Sequence, residues 1–594
     1  PVPPAVREQI LARTDGVPLF VEELTRMLLE AGELEALAIP ETLHDSLTAR
    51  LDRLAPVKAV AQVAAVIGRE FDHDLLAGVA DLRENELRDA LERLVAAGLI
   101  FRRADMPGAG YSFKHALVRD AAYAGLVRAR RHQLHARTAT LAEERFPHLA
   151  ASQPEMLAHH WSEAGDAEKA TAYRLRAGMR ALGQSAIKEA VAQLASGIAM
   201  LDQLPPGPPR QRRELDVQIA YGAALVGARG PAATEPAAAY ARARELCALL
   251  GERRPLTQVL FGLWASHNVR DELDAAQEVA TELLGLAEQG RGDPARILGC
   301  RTLGTTALLR GDLAVSRDSL GELLALGRST AEAPDFPYPY DPWLTGQGYL
   351  SITMLLLGHP DQARSHSDRS LAGARETGHH HTLALALFCR CVLAQLCRDA
   401  DDLERHATAL QAVAAERGFA FWAAAAAVFR GWLLSQVGNQ QAGIALLRAG
   451  LDAYRAADAR AYVAYMLGLL AEAQGRAGNT AEADALLGEA LAHVERTEAR
   501  VAEAELHRLQ GELRLPQPDH AAAEACFRHA LAVARRQEAG WWELRAATSL
   551  ARLWAARGDR GEARDLMAPI LARIIEGAGM PDVAEARGLL ARGA

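Results

Sequence analysis

The chain has 594 residues, of which half are hydrophobic, 24% charged and only 5% aromatic, with a formal charge of −9 and a pI near 6.1. That balance offers no global basic field and argues against nucleic acid as a partner. No apolar run reaches the roughly 18 residues of a membrane span, and no signal peptide opens the sequence, so a cytoplasmic protein is expected.

The first residues are Pro1-Val2-Pro3-Pro4 rather than Met, which reads as the start of a fragment. Residues 5–31 have a helical pattern interrupted at Thr14-Asp15-Gly16-Val17-Pro18 and resumed by Leu19-Phe20-Val21-Glu22-Glu23-Leu24. Three or four short helices follow between Leu43 and Ala97. Next come Leu99-Ile100-Phe101-Arg102-Arg103, a turn at Pro107-Gly108-Ala109-Gly110, and Tyr111-Ser112-Phe113-Lys114-His115. Alternating apolar residues around a Gly/Pro turn predict one β-hairpin. Helices followed by such a hairpin describe a winged-helix domain. The helix Glu84–Ala97 has no basic excess, which favours a structural or regulatory role over DNA binding.

Further along, His132-Gln133-Leu134-His135 lies beside Arg128, Arg130 and Arg131. Its two histidines share a helix face, but the sequence offers no third metal ligand. The basic run reads as a solvated face, with a phosphate or an acidic partner as the alternative. Leu204-Pro205-Pro206-Gly207-Pro208-Pro209 cannot be helical throughout and reads as a linker.

A repeat then emerges. Weak copies of a Gly/Asp turn stand at Gly165-Asp166, Arg270-Asp271 and Gly311-Asp312, with small residues at matching offsets such as Ala158, Ala170, Ala275, Gly304 and Ser316. From residue 341 the register is strict. Turns fall at Gly358-His359, Arg398-Asp399, Gly438-Asn439, Gly478-Asn479, Pro518-Asp519 and Gly558-Asp559, each 40 residues from the next. Five residues after each turn start stand Ala363, Leu403, Gly443, Ala483, Ala523 and Ala563; seven before it stand Ser351, Cys391, Gly431, Ala471, Gly511 and Ala551. A small residue on each of two helices and a turn able to take unusual dihedrals let antiparallel helices approach closely. The insert Ala333–Trp343, rich in Pro and aromatics, reads as a loop packed back on the array or as an exposed contact loop.

Other candidates reduce to packing. His379-His380-His381 point apart on a helix start and lack a carboxylate or Cys at a ligand spacing. Cys389 and Cys391 do not face one another on a helix, and the six cysteines (Cys247, Cys300, Cys389, Cys391, Cys397, Cys526) are too sparse for a disulfide framework. Trp541-Trp542 reads as core. No metal site and no catalytic residue is expected.

The small–turn–Ala pattern resembles the tetratricopeptide repeat, although 40 residues exceeds its usual length of about 34. The expected fold is mainly α: an α-solenoid of tetratricopeptide-like hairpins preceded by a small winged-helix domain with one β-hairpin. The expected divisions are 1–40, a helical remnant of an ATPase module; 41–150, winged-helix-like; 151–204, a first hairpin; 205–340, irregular repeats; and 341–594, regular repeats. Asp15–Leu24 and Phe113-Lys114-His115-Ala116-Leu117-Val118-Arg119-Asp120-Ala121-Ala122-Tyr123 are similar to two segments of the signal-transduction ATPases with numerous domains. That resemblance implies a nucleotide-contacting role for Gly16, Pro18 and His115, with ATP or ADP and Mg²⁺ as cofactors of a parent protein and none for this chain alone. No Gly-x-x-x-x-Gly-Lys-[Ser/Thr] phosphate loop occurs, so on the resemblance it would precede residue 1. The family implies a regulatory arm, with a protein or small-molecule effector in the superhelix groove, oligomers open, and a class III adenylate/guanylate cyclase as output. A transcription activator of the maltose-regulator kind and a stand-alone scaffold are the alternatives.

Overall fold

The computed structural model describes residues 21, 22, 25, 42–103, 110–184, 186–288, 293–327, 340–516 and 520–593. Gly16, Pro18, the Pro518-Asp519 turn and most of the Ala333–Trp343 insert lie outside them. Two compact units result: residues 1–177 with 196–205, and residues 178–195 with 206–594. No described helix is long and apolar enough to cross a membrane.

The first unit starts with α1 (Leu43–Arg53), α2 (Ala55–Ile67), β1 (Glu70–Asp72), α3 (His73–Ala80), α4 (Glu84–Ala96), β2 (Ile100–Arg103) and β3 (Gly110–Phe113). It continues through α5 (Ala116–Ala124), α6 (Arg128–Arg145), α7 (Pro147–Ser152) and α8 (Pro154–Ala164). Thr42 and Asp72 cap α1 and α3 by accepting backbone N–H bonds. The expected hairpin is correct but incomplete: β1 adds a third antiparallel strand in the order β1-β3-β2, with Ser112 opposite both Glu70 and Phe101. Three residues are too few to show alternation, so β1 escapes a periodicity reading. Phe71 and Phe113 meet beneath the sheet at 5.6 Å and lead a core completed by α2, α4 and α5. Two helices, α9 (Ala167–Gly183) and α10 (Ile187–Met200), follow the Gly165 turn.

The second unit is an α-solenoid of nine described hairpins. Its first three are α11/α12 (Pro208–Arg229, Thr234–Leu250), α13/α14 (Leu256–Val269, Leu273–Glu288) and α15/α16 (Asp293–Arg310, Leu313–Ala325). Next come α17/α18 (Pro342–Leu357, Pro360–Thr377), α19/α20 (His380–Leu396, Ala400–Arg417) and α21/α22 (Ala420–Gln436, Gln440–Ala456). The last are α23/α24 (Val463–Arg476, Thr480–Thr497), α25/α26 (Glu503–Arg514, His520–Arg536) and α27/α28 (Gly540–Arg557, Arg560–Arg573), closed by α29 (Pro581–Gly593).

The repeat chemistry works as the spacing implies. Gly358, Gly438, Gly478 and Gly558 have φ between 83° and 98°, and the N–H after three of these turns bonds back five residues, as His359 does to Met354 at 2.8 Å. A Cβ on Gly431 would lie 2.4 Å from the Leu447 nitrogen, and one on Gly443 would lie 2.4 Å from the Ser435 nitrogen. In that hairpin backbone touches backbone. The first helix of a hairpin packs on the first helices of its neighbours and is buried on nearly every side, most plainly in α17, α19 and α27; the second helix keeps an exposed outer face.

The solenoid also closes on itself. The turn after α13 receives backbone N–H bonds from Arg460 and Ala461 at the Val269 carbonyl (2.8 and 2.9 Å), and Asp271 meets His493 Nε2 at 2.9 Å. The Val501 N–H reaches the Leu309 carbonyl at 3.1 Å. The Glu576 carboxylate accepts from the Asp361 and Gln362 backbone, and Arg398 pairs with Asp582 at 3.2 Å. Each contact joins a hairpin turn to a segment four to five hairpins later, so successive superhelical turns touch.

Candidate functional site

Of the residues the family resemblance singled out, only His115 is described. It is the N-cap residue of α5, half-buried, and its Nε2 is enclosed without a hydrogen-bond partner among the described residues. Beside it, Lys114 forms a 2.5 Å ion pair with Glu22, which ties the end of the sheet to the segment that follows Pro18.

The His132–His135 pair behaves otherwise than the sequence suggests. His132 and His135 part company. His135 Nδ1 meets His160 Nδ1 at 2.8 Å, its Nε2 meets the Tyr123 hydroxyl at 3.0 Å, and the His159 ring packs edge-on at 5.6 Å. Burial lowers the pKa of His135 to about 4 and of His160 to about 3, so both imidazoles are neutral at ordinary pH. The adjacent arginines satisfy themselves locally: Arg130 donates to Gln133, and Arg131 lies over the Tyr123 ring at 4.7 Å. Within the solenoid, His379 caps α19 through Thr382, whereas His381 stacks on Phe419 at 4.0 Å and burial takes its pKa to about 3. Cys389 is buried and burial pushes its thiol up to about 12. Trp541 is fully enclosed, and Trp542 donates to the Val501 carbonyl at 2.9 Å.

Among the described residues, Arg301 is a buried cation with no acid beside it. Arg301, on α15, is 2% exposed. Its Nε donates to the Thr345 hydroxyl at 3.0 Å and its Nη1 to Thr305, while the guanidinium lies 4.6 Å from the Tyr349 ring and 5.4 Å from the Trp264 ring. No carboxylate pairs with it among the described residues. Desolvation accordingly lowers its pKa. Three other buried arginines of the solenoid are treated differently. Arg390 holds Asp402 at 2.6 Å, Arg508 holds Glu505 at 2.7 Å, and Arg545 holds Asp582 at 3.0 Å.

The surroundings of Arg301 are aromatic and polar. Tyr349 and Tyr462 both carry strongly raised phenol pKa values from burial, and the Tyr462 hydroxyl has no hydrogen-bond partner among the described residues. Tyr462 itself is held at φ 65°, a left-handed conformation that costs a non-glycine residue on the order of 1 kcal/mol. An anion placed against this guanidinium would gain a counter-charge in a low-dielectric interior, where charge-assisted bonds are strong. Sequence reasoning passed over Arg301, yet a signal exists: it is the one charged residue between Arg296 and Arg310. A separate cavity of about 270 Å³ lies between α27, α28 and α29, lined by Ala551, Ala555, Ala563, Met567, Leu589 and Leu590.

No family model matches the chain. It is 25% identical over 518 residues to an uncharacterized protein of Rhizobium meliloti (strain 1021), a match covering 84% of this chain and 50% of that protein. The chain therefore spans about half the length of this curated relative. Among solved structures it is similar to a Rap protein complexed with competence and sporulation factor, with TM-score 0.34 and 11% identity over 71% of this chain and 97% of the other. A signal-transduction ATPase with a tetratricopeptide repeat sensor from Pyrococcus horikoshii matches with TM-score 0.30 and 10% identity, over 100% of this chain and 72% of that one.

Proposed function

We propose that this chain is the effector-sensing and partner-binding arm of a larger ATP-dependent signalling protein whose output is a nucleotide cyclase. The observation that carries the sensing role is Arg301, a buried cation ringed by hydroxyls and aromatic faces but given no acid among the described residues. Burying a charge without a counter-charge costs several kcal/mol, a cost that an anionic effector seated on the inner face would offset. The contacts between superhelical turns include backbone hydrogen bonds and ion pairs at hairpin turns. An effector that binds better when those turns part would shift the coil between two states, and only by its difference in affinity for them.

Three observations support the parent reading. The helix–strand–helix–helix–strand–strand order from α2 to β3 fits a winged helix. His115 Nε2 is enclosed and unsatisfied where the family resemblance implies a nucleotide contact. The curated relative extends well beyond the matched region. In this reading Gly16, Pro18 and His115 contact ATP or ADP with Mg²⁺.

The test has two arms. Thermal shift with a panel of carboxylate and phosphate compounds should find at least one that stabilises the protein, by about 2.7 kcal/mol at a hundredfold excess over its Kd. That stabilisation should vanish in Arg301→Met. A panel whose effects are identical in both proteins would remove Arg301 from the sensing role. Expression from the gene's own start codon, with ATP binding and cyclic-nucleotide formation measured, tests the parent; a product that binds no nucleotide returns the chain to the scaffold reading.

A further inference from the structure

A second feature of the solenoid lies in its eighth hairpin. Glu503 and His507 stand four residues apart on α25 and therefore share a face, and His529 comes from the antiparallel α26. One ligand atom from each lies within 4.8 Å of the other two. The two imidazole rings meet nearly at right angles with centroids 4.2 Å apart. We propose that Glu503, His507 and His529 form a site for a divalent transition-metal ion, with zinc the expected occupant and a fourth position open to water or a partner side chain.

The chemistry of each group fits. Two imidazoles and one carboxylate suit zinc, nickel or copper and disfavour calcium and magnesium, which take oxygen ligands. His507 is half-buried beside the His529 ring. Its Nδ1 faces the Gln510 side-chain oxygen at 3.3 Å. A proton donated there leaves Nε2 as the lone pair, the orienting role that partners of metal-bound histidines play. Glu503 is buried, and Arg500 and Arg536 each approach one of its oxygens at 3.3 Å. Those contacts are longer than strong guanidinium–carboxylate bonds. They hold the carboxylate in place and leave it able to take a metal. His529 is exposed. Zinc requires bonds of about 2.0–2.1 Å, so the exposed His529 ring would have to move on binding.

The site would brace a hairpin that takes part in coil closure, since Val501, two residues before Glu503, donates to Leu309 across the superhelical turn. The experiment is titration of the purified full chain with Co²⁺ and Zn²⁺, read by Co²⁺ visible absorbance and calorimetry. One equivalent should bind with the absorbance of a four-coordinate site. His529→Gln should weaken it at least tenfold without altering the melting temperature of the metal-free protein, because that side chain is exposed. His507→Ala should abolish it, and Gln510→Ala should weaken it about tenfold while all three ligands remain. Wild-type affinity no better than 100 µM, or equal affinity in wild type and His529→Gln, would overturn the proposal. The result is independent of the sensing role assigned to Arg301.

Discussion

Arg301 and Arg545 sit in the same solenoid, on inner helices of the same kind, and are equally hidden from water. Arg545 is locked to Asp582 and Glu505 and donates to the Leu396 carbonyl at 2.6 Å, joining hairpins that lie four repeats apart. Among the described residues, Arg301 has hydroxyls and rings only. The difference separates two uses of a buried cation. In the C-terminal region the guanidinium is a structural rivet with its charge returned by acids. At Arg301 no acid among the described residues returns the charge, which is the feature the proposed sensing role rests on.

Breaking the rivet gives the largest expected effect. Arg545→Met leaves Asp582 with Arg398 alone, removes the bond to the Leu396 carbonyl, and should cost roughly 3–5 kcal/mol in chemical unfolding. A smaller effect separates covered turns from open ones. Gly311 and Gly478 share nearly the same φ, 84° and 83°, but a Cβ on Gly311 would lie 2.5 Å from Gln537 whereas one on Gly478 meets nothing within 4 Å. Gly478→Ala should cost about 1 kcal/mol from backbone strain alone. Gly311→Ala should cost more, because Gln537 is itself held by the Arg500 carbonyl across the hairpin. Equal losses would mean that the superhelical turns do not touch there.

A further effect concerns pH. His381 is neutral in the fold with its pKa near 3, against an ordinary value of 6.5. The unfolded chain takes up a proton first, so stability is full above pH 6.5 and declines as pH falls toward 3. His381→Phe keeps the stack on Phe419 and should flatten the part of that slope between pH 6.5 and 5. An unchanged slope would show that His381 is not buried as described.

Much of the fold was legible because its determinants are local. The turn at Gly358 and its fellows, the touching glycines Gly431 and Gly443, and the buried Trp541 all declare themselves within one 40-residue unit. What was hidden depends on contacts far apart in sequence. Closure of the coil brings Val269 to Arg460 and Asp271 to His493, and no window of ordinary length contains both partners. A trace survives in the turns themselves: Asp271 and Arg398 adopt left-handed backbone at φ 55° and 56°, where other turns use Gly, and both side chains reach the next superhelical turn. The same holds for Glu503, His507 and His529, whose third member arrives from a second helix. Strand β1 was missed for brevity, and the His135–His160 contact because His160 comes from another helix.

The most direct test is the stability of Arg301→Met, compared with wild type by urea unfolding at neutral pH without added anions. If the charge of Arg301 is uncompensated, removing it with a side chain of similar length should leave stability unchanged or raise it by about 1–4 kcal/mol. A loss of 3 kcal/mol or more, like that expected of Arg545→Met, would show that Arg301 is another rivet and contradict the account.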